Sequence, residues 1–347
     1  MSKPIFHSSI EGAQHGTKGL DGFLAFAKEA GSAGAQPSNY MVEGKSGAGF
    51  TRAHLVRKAF EKHELKLDGI SAHCPFWVHT SAWTGTKGLR PFVPPEVAKL
   101  AKGKIELWAE DYLLRLLDLC AALDMKIVPM FWGAAFGFEL ATGYPWGFWA
   151  GGNFDLIKEG EERFVKKTAK IRAHANSLGL YLAHEIHPGT AAMCAEEFGR
   201  LVEICDGDRC LTVNADPSHC WEGEGWEARF THPAVAGRVY GCHVKNYVVR
   251  PGVPLRKMEG NWRNRAMQFT DLGSGDLNMV RYAEMLINIG YPARYNKIMG
   301  TETAPLIAET ESNYRDPDAT AIEGIQYVRD QLCFPVAEGS FEDEMGA

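Results

Sequence analysis

No apolar run in this chain approaches the roughly 20 residues needed to cross a bilayer, and its 23% of charged residues matches an ordinary globular protein. A membrane-spanning or disordered chain is therefore not expected. There is also no C-x-x-C pair. The eight cysteines (74, 120, 194, 205, 210, 220, 242 and 333) are scattered, which argues for reduced thiols rather than a zinc ribbon or a disulfide framework. The start, Met-Ser-Lys-Pro-Ile-Phe, has neither the apolar stretch nor the small-residue cleavage site of a secretion signal, so a cytoplasmic location is expected. Positive charge is not in excess either, since 37 Lys and Arg against 43 Asp and Glu leave a formal charge of -6. No nucleic-acid partner is expected from that balance, because phosphate backbones are gripped by basic surfaces. The stretch Arg250 to Arg265 is interrupted by Pro251, Pro254, Glu259 and Gly260. A small neutral or anionic ligand suits the chain better.

What the sequence does have is alternation. Short apolar runs are expected as strands at 4–8, 33–37, 67–73, 126–133, 178–185, 210–216, 238–245 and 305–309. Between them, apolar residues recur at helical spacing, as in Ile105, Trp108, Tyr112, Leu113 and Leu116. Eight such βα units predict a closed (β/α)8 TIM barrel, an α/β fold, formed by one domain over residues 1–347. Two stretches rich in Trp, Gly and Pro, Phe76 to Pro95 and Phe136 to Phe154, are expected as long loop insertions at the C-terminal face, and a long polar loop is expected before Leu272. Asp276 is expected to cap the helix that runs through Ile289.

In a barrel of this kind chemistry gathers at the C-terminal ends of the strands. Four consecutive expected strands end in Glu185, Asp216, His243 and Glu309. Three carboxylates and an imidazole brought to one mouth would repel and desolvate one another unless a cation neutralised them. The set is rich in oxygen and has no thiolate, which favours one divalent cation of the Mn²⁺, Mg²⁺ or Co²⁺ type, with Mn²⁺ preferred. Any one acidic strand end is more often a cap or a surface charge; the repetition over successive strands carries the argument. Glu311 shares a strand face with Glu309 and rivals it, with Glu309 preferred because it directly follows the apolar run. By the same period His187 faces the way Glu185 does, as a substrate contact or a neighbour of the ligands, whereas His184 points into the layer between barrel and helices. His73, at the end of the third strand, is a candidate substrate contact.

The motifs Glu-Ile-His-Pro-Gly (185–189), Asp-Pro-Ser-His (216–219), Cys-His-Val-Lys (242–245), Gly-Ser-Gly-Asp (273–276) and Ile-Ala-Glu-Thr-Glu (307–311) give the chain a further signature. It resembles the xylose-isomerase-like barrel superfamily, the sugar phosphate isomerase/epimerase group that includes ketose 3-epimerases, specifically between Lys126 and Glu311. The resemblance implies that Glu185, Asp216, His243 and Glu309 are metal ligands, that His219 contacts a substrate hydroxyl and that Lys245 points into the same pocket. It also implies that Glu185 and Glu309 double as the acid/base pair of an isomerase or epimerase working on a keto-sugar through an enediolate.

One departure widens the substrate class. Trp77, Trp83, Trp132, Trp146, Trp149, Trp221, Trp226 and Trp262 lie mainly after strands, where aromatic faces could stack on a sugar ring or a flat aglycone. Some relatives use the same chemistry as lyases that eliminate the aglycone of a 3-keto-glycoside, with a small partner subunit, and that alternative stays open beside a homo-oligomer. A metal-dependent nuclease and a non-catalytic sugar-binding barrel are the other classes. The first needs a basic face, and the second would lack one of the two glutamates.

Overall fold

The structure is a computed structural model, and it describes residues 4–44, 49–85, 87–134, 156–221, 224–255, 260–312 and 314–335. In chain order its elements are β1 (Phe6–Glu11), α1 (Gly19–Glu29), β2 (Gly34–Gln36), α2 (Ala53–His63), β3 (Lys66–Leu67), α3 (His73–Ser81), α4 (Lys102–Ala122), β4 (Ile127–Met130), α5 (Leu156–Ser177) and β5 (Tyr181–Glu185). They continue with α6 (Ala195–Ile204), β6 (Leu211–Ala215), α7 (Trp226–Thr231), α8 (Pro233–Ala236), β7 (Val239–Val244), β8 (Asn246–Val249), β9 (Met267–Thr270), α9 (Met279–Asn288), α10 (Tyr291–Met299), β10 (Ala304–Ala308) and α11 (Pro317–Tyr327). Eight parallel strands lie in the order β3, β2, β1, β10, β7, β6, β5, β4. The first strand therefore pairs with the last, as a closed barrel requires. Its two outer members meet where Ala72 N, beyond β3, donates to Pro129 O of β4 at 2.9 Å. The fold is the expected (β/α)8 TIM barrel.

Most of the strands are buried on both faces, and several read as near-continuous apolar runs. β10, Ala-Pro-Leu-Ile-Ala, is buried throughout. Helix stripes cover the outer face: Phe23 and Leu24 of α1, Leu113, Leu116 and Leu117 of α4, and Phe198 and Leu201 of α6 belong to one continuous core. No helix among the described residues is long and apolar enough to cross a membrane.

Three expectations are corrected. The stretch after His73 is largely structured, because α3 occupies His73–Ser81 and short 3-10 turns follow. Pro75 falls in the first helical turn, where a missing N–H costs nothing, and Val78, Ala82, Leu89, Val93 and Val97 form a second apolar cluster with Ile105 and Ala109 of α4. The long polar loop contains an antiparallel hairpin, β8 with β9, in which Asn246 pairs with Thr270 and Val249 with Met267. Asp276 does not cap α9. It accepts from Val249 N at 2.7 Å, tying the hairpin down, while Asn278 caps the helix by accepting from Arg281 N. The aromatic insertion at Phe136 to Phe154 lies outside the described residues.

Candidate metal centre and substrate pocket

Strand alternation aims the site residues inward from neighbouring strands. Glu185 closes β5 and lies in register with Asn214 of β6, which in turn lies in register with Gly241 of β7. Asn214 Nδ2 donates to Glu185 Oε2 at 3.1 Å. Gly241 makes room for this contact, since a Cβ there would stand 2.6 Å from Asn214 Oδ1. Asp216 follows β6 and caps the short turn Pro217–Cys220, its Oδ1 accepting from Ser218 N at 2.7 Å. That leaves Asp216 Oδ2 facing the barrel axis and places His219 one turn on, its Nε2 3.2 Å from Asp216 Oδ2 and 3.2 Å from Glu185 Oε1. His243 of β7 hands its Nε2 proton to Gln36 Oε1 of β2 at 3.0 Å. Its other nitrogen, Nδ1, is then free to face Glu185 Oε2 at 3.0 Å and Glu309 Oε2 at 2.8 Å.

Glu185, Asp216, His243 and Glu309 each offer one atom to a group whose members all lie within 4.8 Å of one another. Asp216 Oδ2, His243 Nδ1 and Glu309 Oε2 are buried and make ion-pair contacts within the cluster but no well-aligned hydrogen bond. Close approach of donors and acceptors at 2.8–3.0 Å is what the edges of a coordination shell look like, since an octahedral cation with bonds of about 2.1 Å spaces its ligands about 3.0 Å apart. The donor set, three carboxylate oxygens and one imidazole, suits Mg²⁺, Mn²⁺ or Co²⁺. On geometry, Glu309 and not Glu311 joins the other three. Glu311 instead pairs with Lys245 Nζ at 2.5 Å and accepts from Gln14 Nε2 at 2.7 Å.

Lys245 sits between β7 and β8, only 3% exposed. Its Nζ donates to Glu309 Oε1 at 2.9 Å and lies 4.3 Å above the ring of Phe269 on β9. Burial works against its charge, but Glu309 and Glu311 outweigh that and hold the ammonium well above its usual range. Burial likewise opposes ionisation of Glu309, and Lys245 with His243 overcomes it, so the carboxylate stays ionised. For Glu185, burial is again outweighed, here by the imidazoles of His219, His243 and His73. Burial also works against a proton on His219, yet Asp216 and Glu185 push it up to about 9. His187 goes the other way: burial, then the neighbouring His219, lower it to about 3, and its Nδ1 bonds the Pro188 carbonyl at 2.7 Å. His187 is thus a neutral ring whose Nε2 can accept.

His73 is in the pocket as well, but from the first turn of α3 and not from a strand end. Its Nε2 lies 3.4 Å from Glu185 Oε2 and its Nδ1 2.8 Å from Ser71 Oγ. His73, His187, His219 and Lys245 all line one cavity of about 680 Å³ together with Glu185, His243 and Glu309. His184 points away as expected, accepting from Trp132 N at 3.1 Å and stacking on Phe198.

Several pocket residues escaped the sequence reading. Glu11 closes β1 and lines the cavity; its Oε2 accepts from Ala13 N, and burial, aided by the charge of Glu309, pushes it up to about 7. The strand-end rule would have found it had the first strand been carried past Ser8. Phe131 and Phe269 line the cavity, and so does Trp108, a residue legible only as part of a helical stripe. The six described tryptophans that were expected above the site do not line it. Trp132 packs in the outer layer against Phe76 and Phe164, and Trp226 packs against Tyr282. Position after a strand does not say which way a ring turns. Trp146 and Trp149 fall outside the described residues.

A barrel with an oxygen-rich ligand cluster at its mouth defines the class, and comparison with known families agrees. A family profile described as xylose isomerase-like TIM barrel matches residues 24–331. The chain belongs to that family. Among solved structures it is similar to a 3-keto-D-glucoside 4-epimerase from E. coli (TM-score 0.60, 13% identity, 94% of this chain and 99% of that one). It is also similar to a D-allulose 3-epimerase from Methylomonas sp. (0.57, 14%, 95% and 100%). A third is a xylose isomerase-like TIM barrel protein from Mycobacterium smegmatis in complex with magnesium (0.56, 15%, 96% and 98%). A comparison with curated protein sequences finds no match.

Proposed function

We propose that the chain is a divalent-metal-dependent isomerase or epimerase of a keto-sugar or sugar derivative, working through an enediolate, with Glu185, Asp216, His243 and Glu309 holding one Mn²⁺-type cation. The observation that carries this reading is the set of three buried atoms, Asp216 Oδ2, His243 Nδ1 and Glu309 Oε2, that gather with Glu185 within 4.8 Å of one another and make no well-aligned hydrogen bond. A cation bound there would polarise a ketone oxygen and a neighbouring hydroxyl and so acidify the C–H bond between them. The chain's own groups supply the rest. Glu185 Oε2 and Glu309 Oε2 lie 3.0 Å and 2.8 Å from His243 Nδ1, and both carboxylates are held ionised, the state a base needs to take a proton from carbon. Lys245 keeps Glu309 charged and fixes its carboxylate plane through Oε1. His219, beside Asp216 and Glu185, contacts a substrate oxygen, while His187, neutral, accepts from a hydroxyl. One carboxylate acting alone can carry the proton to the neighbouring carbon of the enediolate, the former carbonyl carbon, on the same face, which gives an isomer. Two acting from opposite faces give an epimer.

The similar structures named as a 3-keto-D-glucoside 4-epimerase and a D-allulose 3-epimerase support a sugar substrate. Elimination from a 3-keto-glycoside begins with the same proton removal, so product analysis separates the readings. The protein with Mn²⁺ is incubated in D₂O with a panel of ketoses and 3-keto-glycosides. The expected result is deuterium at the carbon beside the ketone, with an isomer or epimer. Aglycone release without an epimer would replace this reading with the lyase, and no exchange in any substrate would overturn both.

A further inference from the structure

The cavity is divided into two unlike parts. Its floor carries the carboxylates and imidazoles described above. The wall on the α4 side is mainly aromatic and aliphatic, made by Tyr40, Phe92, Val93, Trp108, Tyr112 and Phe131, with Asn39 and Glu43 at the Tyr112 hydroxyl as its polar members. Phe131 marks the boundary, its ring 5.0 Å from His73 and 5.3 Å from His187. Trp108 and Tyr112 stand one turn apart on α4 with ring centres 5.1 Å apart and planes 34° from parallel. The tyrosine hydroxyls on this wall are already engaged. Tyr112 donates to Glu43, and Tyr40 donates to Ala13 O at 2.7 Å. What they present to a ligand is ring surface, not polar groups.

Charge excludes one class of occupant. Lys245 is the single Lys or Arg among the described residues that line the cavity, and it is committed to Glu309 and Glu311. Away from the proposed cation site, a phosphate would meet Glu11, Glu43 and Glu311, and among the described lining residues no Lys or Arg other than Lys245 stands there to balance it. The volume of about 680 Å³ lies within the range of about 300–1,000 Å³ of sites that bury a drug-sized ligand, which leaves room on the wall beyond a sugar seated on the floor.

We infer that the cavity takes an unphosphorylated sugar bearing a flat aromatic substituent, with the sugar on the floor and the aromatic ring against Phe92, Val93, Trp108 and Tyr112. The inference rests on the sugar reading proposed above and narrows it. Aromatic rings prefer offset or edge-to-face contact with other rings, and the tilted Trp108 and Tyr112 pair offers both.

Calorimetric titration of the full chain with Mn²⁺ tests it, using phenyl β-D-glucoside, methyl β-D-glucoside and glucose 6-phosphate as probes. The phenyl glucoside is expected to bind about tenfold tighter than the methyl. Phe92→Ala is expected to remove most of that preference without changing methyl glucoside binding. Phe92 is 48% exposed, so this variant should keep the wild-type unfolding midpoint; Trp108→Ala is the second variant, expected to act in the same direction. Equal affinity for the two glucosides, including no binding of either, overturns the inference, as does a preference that survives both substitutions or tighter binding of glucose 6-phosphate. Failure of the isomerase reading shows separately, as absence of deuterium exchange in every ketose.

Discussion

Two buried polar clusters occupy opposite ends of the barrel interior, and they are built from the same kinds of side chain. Near the start of the strands, His7 of β1 places Nε2 3.1 Å from both oxygens of Asp68 and Nδ1 2.8 Å from Thr303 Oγ1, which also accepts from Lys66 Nζ at 2.8 Å. Gly34 on β2 leaves the space for Asp68, since a Cβ there would come within 1.8 Å of Oδ2. Every ring nitrogen and carboxylate oxygen in that cluster has a partner. At the mouth, Asp216, His243 and Glu309 each keep an atom that approaches its neighbours closely but makes no well-aligned hydrogen bond. Leaving buried polar groups unpaired is costly, so the fully paired lower cluster reads as a structural plug, while the upper one presents the donor set proposed above for a cation.

That contrast can be broken most sharply at Glu185. Glu185→Gln is expected to lower proton exchange by about 10³-fold or more while the far-ultraviolet circular dichroism stays that of the wild type. Exchange within tenfold of the wild type would remove Glu185 from the chemistry. At the other end, Asp68→Ala should cost about 1–3 kcal/mol in urea unfolding by leaving His7 Nε2 without a partner, with exchange per folded molecule unchanged. If activity fell and stability held, the two ends would have traded roles. Gln36→Ala should weaken Mn²⁺ binding about 10- to 100-fold, the usual effect of losing a partner that orients a ligand imidazole. Calorimetry that shows unchanged affinity would deny Gln36 its hold on His243.

A histidine outside both clusters calibrates the comparison. Burial lowers His79 to about 3, below its unfolded value of about 6.5. Between those values the unfolded chain binds a proton that the fold refuses, so stability is full above about pH 6.5 and falls on acidification. The share of His79 is about 1.4 kcal/mol per pH unit. Urea midpoints at pH 7 and pH 5 should therefore differ less in His79→Gln than in the wild type; an identical difference would count against a buried neutral ring.

The four mouth residues were legible because each follows an apolar run on a strand buried on both faces, where a charged side chain stands out. Glu11 was not, since the polar interior residues His7, Ser8 and Ser9 blur the alternation before it. β8 and β9 were missed for a different reason: pairing partners such as Asn246 and Thr270 lie far apart in the chain, and no local turn signal joins them. The helix at His73 was hidden behind a proline that the first turn tolerates.

The pairing of the first strand with the last also shapes how the chain can assemble. Residues 6–10 of β1 are in register with 304–308 of β10, five pairs against three for β1 with β2 and two for β2 with β3. A ribosome delivers the amino-terminal units first, yet their longest ladder waits for a strand made almost 300 residues later. Contacts of such sequence separation are slow to form. Until they do, β1 is an unpaired edge, and the emerging chain would gain most from a chaperone there.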